Sequence, residues 1–314
     1  MVKISIITPC YNCDRYIGKT IESVRSQTFT NWEHIIVDDG SRDNSAQVVR
    51  SYLDSDPHLR FIQQSNQGVA RARISGVNAS SKESCYLLFL DADDCLDPAM
   101  LSVLAEYLSQ HPQVGLAYCH YHYINDSDAI IGTPYFPRFV PSRFGVHELT
   151  DEEPVTPFVS VFASAVILPS ISLIRRAIYD RTPGWDEAFG QPCEDTDLFL
   201  HIALHSQIHF VPQKLVRYRR HDHQSTANSE KYAQQQQKLY RKWRNLDSLT
   251  AEQKALVKAA WRFRQGRVAP YSGLDAGTRY LKQGKTKQAL RFYGGALRRY
   301  VGSFLPELIR EVDS

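Results

Sequence analysis

The sequence predicts an α/β fold, doubly wound around a mostly parallel sheet and followed by a helical C-terminal appendage. Three observations carry that prediction. Strand-like and helix-like periodicities alternate with short connections over the first 120 residues. Three strand-like runs end in polar clusters, Thr8 to Asn12, Asp38 to Ser41 and Asp91 to Asp94. From Glu230 onward the pattern reads as helix throughout.

Taken in order, Lys3–Thr8 is a strand, and Ile17, Ile21 and Val24 mark one face of the helix after it. His34–Val37 is the next strand, and Ser41 or Asp43 can cap a helix carrying Val48, Val49 and Leu53. There follow a strand at Leu59–Ile62, a helix from about Val69 to Val77, a strand at Tyr86–Leu90, a helix from Pro98 to Leu108 and a strand at Val114–Tyr118. Residues 120–170, with Pro134, Pro137, Pro141, Pro154 and Pro157, read as a loop-rich segment suited to covering a substrate. A short helix is expected from Ile171, then a helix through Leu198–Leu204 and short strands at Ile208–Val211 and Leu215–Tyr218. The expected domains are 1–228, with halves 1–118 and 119–228, and a basic helical region at 229–314.

At 314 residues, 43% hydrophobic and 23% charged, the chain has the composition of an ordinary globular protein. Its net charge of +3 hides a segregation: residues 1–230 hold 19 Lys and Arg against 28 Asp and Glu, whereas residues 231–314 hold 18 against 6. No signal peptide is read at Met1-Val2-Lys3, and the longest apolar stretch, Phe158 to Ile174, is too broken to span a bilayer, so a cytoplasmic location is expected. Six scattered cysteines do not make a disulfide scaffold. Cys10-x-x-Cys13 has the spacing of a redox pair, but no second such pair completes a zinc site.

The run Tyr86 to Leu90 sets five apolar residues directly against Asp91, Asp93 and Asp94. Carboxylates gathered at the edge of a low-dielectric core either rise in pKa or share a cation, and all-oxygen ligands suit Mg²⁺ or Mn²⁺. The plain alternative is an acidic turn capping the helix that Pro98 opens. A second acidic cluster, Glu194-Asp195-Thr196-Asp197, opens a helix, where carboxylates favour the dipole and capping is again the structural alternative. No G-x-G-x-x-G turn, P-loop or basic Gly-rich loop follows a strand, which argues against dehydrogenase, P-loop and nucleotidyltransferase chemistry. Glycosyl transfer from a nucleotide-diphosphate sugar fits better. A metal would neutralise the departing diphosphate, and a carboxylate across the sugar would take the acceptor's proton.

Seven motifs in order then resemble the inverting family-two glycosyltransferases of GT-A, Rossmann-like fold. They are Pro9-Cys10-Tyr11-Asn12, Asp38 to Ser41, Asn66-Gln67-Gly68 through Ala72-Arg73, Asp91-Ala92-Asp93, Gly184-Trp185-Asp186-Glu187, Glu194-Asp195 and Tyr218-Arg219-x-His221. Ile74 stands where that family usually has Asn. The resemblance implies that Tyr11, beside Pro9 and Asn12, stacks on the base, and that Asp39 bonds the uracil or ribose of a UDP-linked donor. It implies that Arg73 helps hold the nucleotide with Asn66 and Gly68, and that Asp91 touches the ribose or the metal. Asp93 becomes the principal ligand of Mn²⁺ or Mg²⁺, with His221 near the diphosphate or metal. Asp195 becomes the base, with Glu194 the alternative, and Trp185, Asp186 and Glu187 face a saccharide or lipid-linked acceptor. A catalytically silent nucleotide-sugar-binding or scaffold protein of the same fold is the other reading.

In the basic region, Ala276, Tyr280, Gly284, Ala289, Tyr293, Ala296 and Leu297 match one tetratricopeptide-like hairpin. The amphipathic pattern from Tyr293 to Leu308, flanked by Arg291, Arg298 and Arg299, suits either packing on the domain or an anionic membrane surface. No recognition motif supports a nucleic-acid partner.

Overall fold

The computed structural model describes residues 3–134, 138–142, 145–163, 166–189, 192–221 and 229–265, and further on 278, 281, 284, 286–291 and 293–297. Two compact units form: residues 1–136, 149–158 and 166–235 make the first, and 137–148, 159–165 and 236–314 the second.

The first unit begins with β1 (Ile4–Cys10), α1 (Ile17–Arg25), β2 (Trp32–Asp38), α2 (Ser45–Leu53), β3 (Leu59–Gln63), α3 (Val69–Ala79) and β4 (Tyr86–Phe89). It continues through β5 (Cys95–Leu96), α4 (Met100–Gln110), β6 (Val114–Ile124) and β7 (Ile130–Gly132). The hairpin β8 (Phe139–Ser142) and β9 (Gly145–Glu148) belongs to the second unit, as does most of α5 (Phe158–Ala163). Then come β10 (Ser172–Arg175), α6 (Arg176–Tyr179), α7 (Glu194–His205) and β11 (Gln207–Arg219), followed by α8 (Ser229–Arg244) and α9 (Ala251–Phe263).

The sheet runs β3-β2-β1-β4-β10-β6-β11-β5, with β7 alongside β6. The pairs from β3 to β4 are parallel, as is β6 with β11, whereas β10, β5 and β7 run against their neighbours. Strands β1, β2 and β4 are buried almost throughout, as strands covered on both faces are, and the polar residues of β1 and β2 pair with each other, Ser5 with Glu33 and Thr8 with His34. Pro9 sits in the central strand without breaking a ladder. The odd-numbered carbonyls of β1 face β4, since Ile7 accepts from Leu90, and β4 has already ended opposite Ile7, so no partner awaits the N–H that Pro9 lacks. Helix α3 packs on β1 at Gly76, where a Cβ would lie 2.3 Å from the Ile7 side chain.

The structure departs from expectation on the later half of the sheet. Within the loop-rich residues 120–170, β6 continues to Ile124, and β7, β8, β9 and α5 follow as short elements. The short helix expected from Ile171 is a buried strand, β10, wedged antiparallel between β4 and β6 and followed by the single turn of α6. The two strands expected at 208–218 are one strand, β11, whose register slips around Lys214. Pro212 and Gln213 are exposed there, consistent with proline's tolerance at bulges.

In the second unit Thr250 and Gln253 close a capping box at the start of α9, and Tyr240 stacks on Trp261 at 4.6 Å. Arg264 donates to the Ala163 carbonyl and Ser160 to that of Phe139. The tetratricopeptide-like hairpin lies in part outside the described residues, as does most of the expected amphipathic helix beyond Tyr293. No helix among the described residues is long and apolar enough to cross a membrane.

Candidate active site

The carboxyl ends of β1, β2 and β4 meet at a cavity of about 750 Å³, in the place where open α/β sheets take their ligands. Pro9, Tyr11 and Asn12 line it from β1, Asp39, Asn66 and Gly68 from the β2–β3 side, and Asp91 and Asp93 from β4, with His221 closing in from the end of β11. Arg73, Trp185, Asp186, Glu187, Glu194 and Asp195 are not lining residues.

Each wall has a local cause. Cys10 is buried with Ile17, Ile21, Ile36 and Val49, which leaves the next side chain, Tyr11, 45% exposed at the cavity rim. Asn12 turns the chain at φ +53°, and its Oδ1 accepts from Arg42 N at 2.8 Å while its own N–H donates to Ser41 Oγ at 2.9 Å. Gly40, at φ +76°, lets the chain pass within reach of Asn66, whose amide nitrogen would lie 2.9 Å from any Cβ. The buried Asp39 carboxylate accepts from Gln67 N (2.9 Å), Gly68 N (2.8 Å) and Gln64 Nε2 (2.7 Å), so most of its acceptor capacity holds the start of α3.

Cys10 and Cys13 are both free and both belong to this packing. The Cys10 thiol is pushed upward, first by its hydrogen bond with Cys13 and then by burial, the reverse of a reactive thiolate.

At the end of β4, Asp91 Oδ1 accepts from Arg73 Nη2 at 2.8 Å, and Asp93 Oδ2 lies 2.9 Å from His221 Nε2. Asp94 is buried, with Oδ1 on the Arg219 N–H at 3.0 Å. Desolvation raises Asp91 although its side chain keeps some exposure; Arg73 opposes the rise and the Asp93 charge adds to it. Burial, then the charges of Asp93 and Asp91, push Asp94 well above the ordinary carboxylate range.

Among the described residues no three ligating side chains stand close enough to hold an ion alone. Asp91 and Asp93 each hold a protein group through one oxygen, and both line the cavity with the His221 imidazole. One or two carboxylates with the rest of the shell left to water and phosphate is the arrangement Mg²⁺ and Mn²⁺ favour, so the residues fit such an ion.

The buried guanidinium of Arg73 joins this rim to α7. Its Nη1 donates to Glu194 Oε1 at 2.9 Å, its Nη2 to Asp91, and Trp185 lies under it at 4.3 Å and meets Phe89 in a T-shaped contact. Arg73 is thus held by two protein carboxylates. Trp185 is buried and covered by Arg73, while Asp186 accepts from Ala188 N at 2.8 Å and the exposed Glu187 pairs with Arg71 at 3.0 Å.

Glu194 is buried, ion-paired through one oxygen and without a hydrogen bond on the other. Asp195 instead keeps one oxygen open, the other accepting from Thr196 N at 2.6 Å. Its carboxyl is raised to about 7, by desolvation first and the Glu194 charge second, against the pull of Thr196 and Arg73. A position at a helix start by itself favours the ionised form; removal from water and the neighbouring carboxylate raise the carboxyl nonetheless.

Sequence reasoning passed over Tyr16, which lines the cavity, and Asn125, Asp126 and Asp128, which do not: Tyr16 donates to Asp126 at 2.8 Å and stacks on His221 at 5.3 Å. Their only signal, an Asn-x-Ser-Asp turn after β6, is common to many loops.

A sheet of this order, with a nucleotide-sized cavity at its carboxyl rim and two separated acidic groups, defines a GT-A glycosyltransferase architecture. Residues 5–181 match the model of "Glycosyl transferase family 2", and the chain belongs to that family and is a glycosyltransferase. Glycosyltransferase GlyG of Streptococcus pneumoniae is 29% identical over 223 residues, 69% of this chain and 70% of that protein. GlyA of the same organism is 30% identical over 141 residues, 43% of this chain but 20% of its own length. In structure the chain is similar to Staphylococcus aureus TarS 1–349 in complex with UDP-GlcNAc, at TM-score 0.64 and 16% identity over 95% of this chain and 92% of that one. It is also similar to the mannosyltransferase PcManGT from Pyrobaculum calidifontis in complex with GDP-Man and Mn²⁺, at TM-score 0.60 and 17% identity over 95% and 86%.

Proposed function

We propose that this glycosyltransferase moves a sugar from a UDP-linked donor to a hydroxyl of a saccharide or lipid-linked acceptor, with inversion at the anomeric carbon and with Mn²⁺ or Mg²⁺ at Asp91 and Asp93. The observation that carries the reading is that Asp91 and Asp93 line the cavity while Asp195, raised to about 7, stands next to Glu194, which shares the Arg73 guanidinium with Asp91. TarS with UDP-GlcNAc and PcManGT with GDP-Man and Mn²⁺ support a nucleotide-sugar donor and a divalent cation.

In this reading Tyr11 packs on the base, and Asn66 and the free capacity of Asp39 meet the nucleoside. Asp93 would hold the cation, with Asp91 beside it, and the bound charge would offset that of the departing diphosphate. Asp195 takes the proton of the acceptor hydroxyl, the oxygen bonds to the anomeric carbon from the opposite face, and the bond to the diphosphate breaks with its electrons on the leaving oxygen. A carboxylate with pKa near 7 is a stronger base than an ordinary one while still being ionised in useful amount at neutral pH. Glu194, ion-paired and buried, sets the charge around Asp195 and does not reach the acceptor. The helical C-terminal region supplies a basic face for an anionic membrane, where a lipid-linked acceptor is found; no nucleic acid is a partner.

Hydrolysis of a panel of nucleotide sugars with Mn²⁺ or Mg²⁺ tests the reading. Release of UDP from at least one donor, dependent on metal and lost on chelation, is expected. No turnover of any donor, with binding intact, would favour the silent scaffold.

A further inference from the structure

Asp93 and His221 lie far apart in the chain, yet they meet at 2.9 Å on the cavity wall. What holds them there is a residue that does not touch the cavity. Arg219 is fully buried, its backbone N–H donates to Asp94 Oδ1 at 3.0 Å and its Nε donates to the Asp93 carbonyl at 2.9 Å. Its Nη1 reaches the Asn125 carbonyl at 2.6 Å, and its Nη2 pairs with Asp128 at 2.6 Å. The guanidinium also lies 4.9 Å from the ring of Tyr16, the ring that stacks on His221.

The partners of Arg219 are themselves fixed. Asn125 Oδ1 accepts from the N–H groups of Ser127 and Ala129, which locks the turn carrying Asp126 and Asp128. Tyr16, which precedes α1, is tied to Asp126, and the Thr20 hydroxyl within α1 lies 2.9 Å from the carbonyls of both Ala92 and Asp94. A buried guanidinium is costly unless paired and hydrogen-bonded, and here those bonds go to the backbone of the acidic turn and to a loop from β6. Nucleotide recognition does not explain that arrangement, because Arg219 is absent from the cavity wall.

We infer that Arg219 is a positioning residue for the cation site: it holds Asp93 through the main-chain carbonyl and His221 through the Tyr16 ring, and so sets cation affinity without touching cation or nucleotide. The inference rests on the reading that the cation binds at Asp93. Groups that orient metal ligands from behind commonly govern affinity by about 10- to 100-fold. A lysine keeps the charge of Arg219 but loses the planar fork that spans carbonyl, turn and carboxylate together.

The test is titration of Mn²⁺ into protein with UDP, read by loss of the electron paramagnetic resonance signal of free Mn²⁺, on the full chain and on Arg219→Lys, Asp128→Asn and Asp93→Asn. Arg219→Lys is expected to weaken Mn²⁺ binding about 10- to 100-fold. Asp128→Asn, which keeps the shape but removes the countercharge, should weaken it several-fold. In transfer assays the metal concentration for half-maximal rate should rise by the same factor, while the rate at saturating metal stays near the parent's. A purely structural role would lower the active fraction and leave the half-saturation point unmoved. Should Arg219→Lys not fold, Asp128→Asn decides. A folded variant of either kind with the parent's Mn²⁺ affinity, alongside loss in Asp93→Asn, overturns the inference alone. Parental binding in Asp93→Asn, or none in the parent, overturns the metal reading on which it stands.

Discussion

Asp195 and Glu194 are chain neighbours at the start of α7 that their surroundings send to different tasks. Glu194 is fixed to Arg73, whereas Asp195 keeps an open oxygen and a carboxyl raised to about 7. A base works only when unprotonated, so transfer should be full above pH 7 and fall as pH drops through about 7, the limb vanishing in the variant that lacks the group. Asp195→Asn should cost roughly a hundred- to ten-thousand-fold in rate and leave donor affinity intact, measured on one preparation. Transfer near the parental rate would move the base elsewhere. For the donor side, Asp93→Asn should abolish the metal-dependent part of UDP affinity in isothermal titration, since few other protein ligands remain to replace it. Cys10 and Cys13 are packing groups whose thiols are free. Their joint replacement by Ser should leave turnover largely intact, and lost activity in a folded variant would revive a redox or metal role.

At the scale of the element, the site depends on how closely α3 lies on β1, because Arg73 projects from α3 to Asp91 and Glu194. The contact is made at Gly76, and Ile7 beneath it is fully buried with no room to retreat. Gly76→Val should therefore destabilise the fold by about 2 kcal/mol through overpacking. Chemical denaturation would read this as a lowered midpoint at unchanged slope. An unchanged midpoint would mean that the helix can lift from the strand at little cost. Strand β10 shows the opposite dependence: four residues, Ser-Leu-Ile-Arg, become strand because β4 and β6 offer edges on both sides. Arg175 then anchors it by donating to the carbonyls of Val114 and Leu108 at 3.2 and 2.8 Å.

For the whole molecule, charge is divided along the chain, with 18 Lys and Arg against 6 Asp and Glu after residue 230. The last turn of α8 carries Arg241, Lys242 and Arg244. If this region meets an anionic lipid surface, each basic group near it contributes about 1 kcal/mol, and the attraction is screened by salt. Cosedimentation with vesicles rich in anionic lipid is expected at low salt and should fall away at high salt. Its absence at low salt would leave the basic region a structural appendage.

The sequence by itself determined the parallel half of the sheet and the cavity rim. Short apolar runs at 35–37 and 86–90, and the run at 4–7 interrupted by Ser5, read as buried strands by their length and the turn residues that close them, and those polar residues then share one end. Those local signals placed Tyr11, Asn12, Asp39, Asp91 and Asp93 on the same wall. The tertiary structure alone decided the rest. That β10 is a strand follows from the two edges beside it, because four residues carry too little periodicity to choose. That Arg73 faces protein carboxylates, that Asp39 holds α3, and that Trp185 lies under a guanidinium are outcomes of packing between distant segments. The reversal at Asp195 has the same origin: the helix dipole is a local property written in the sequence, whereas desolvation is set by everything that folds around it.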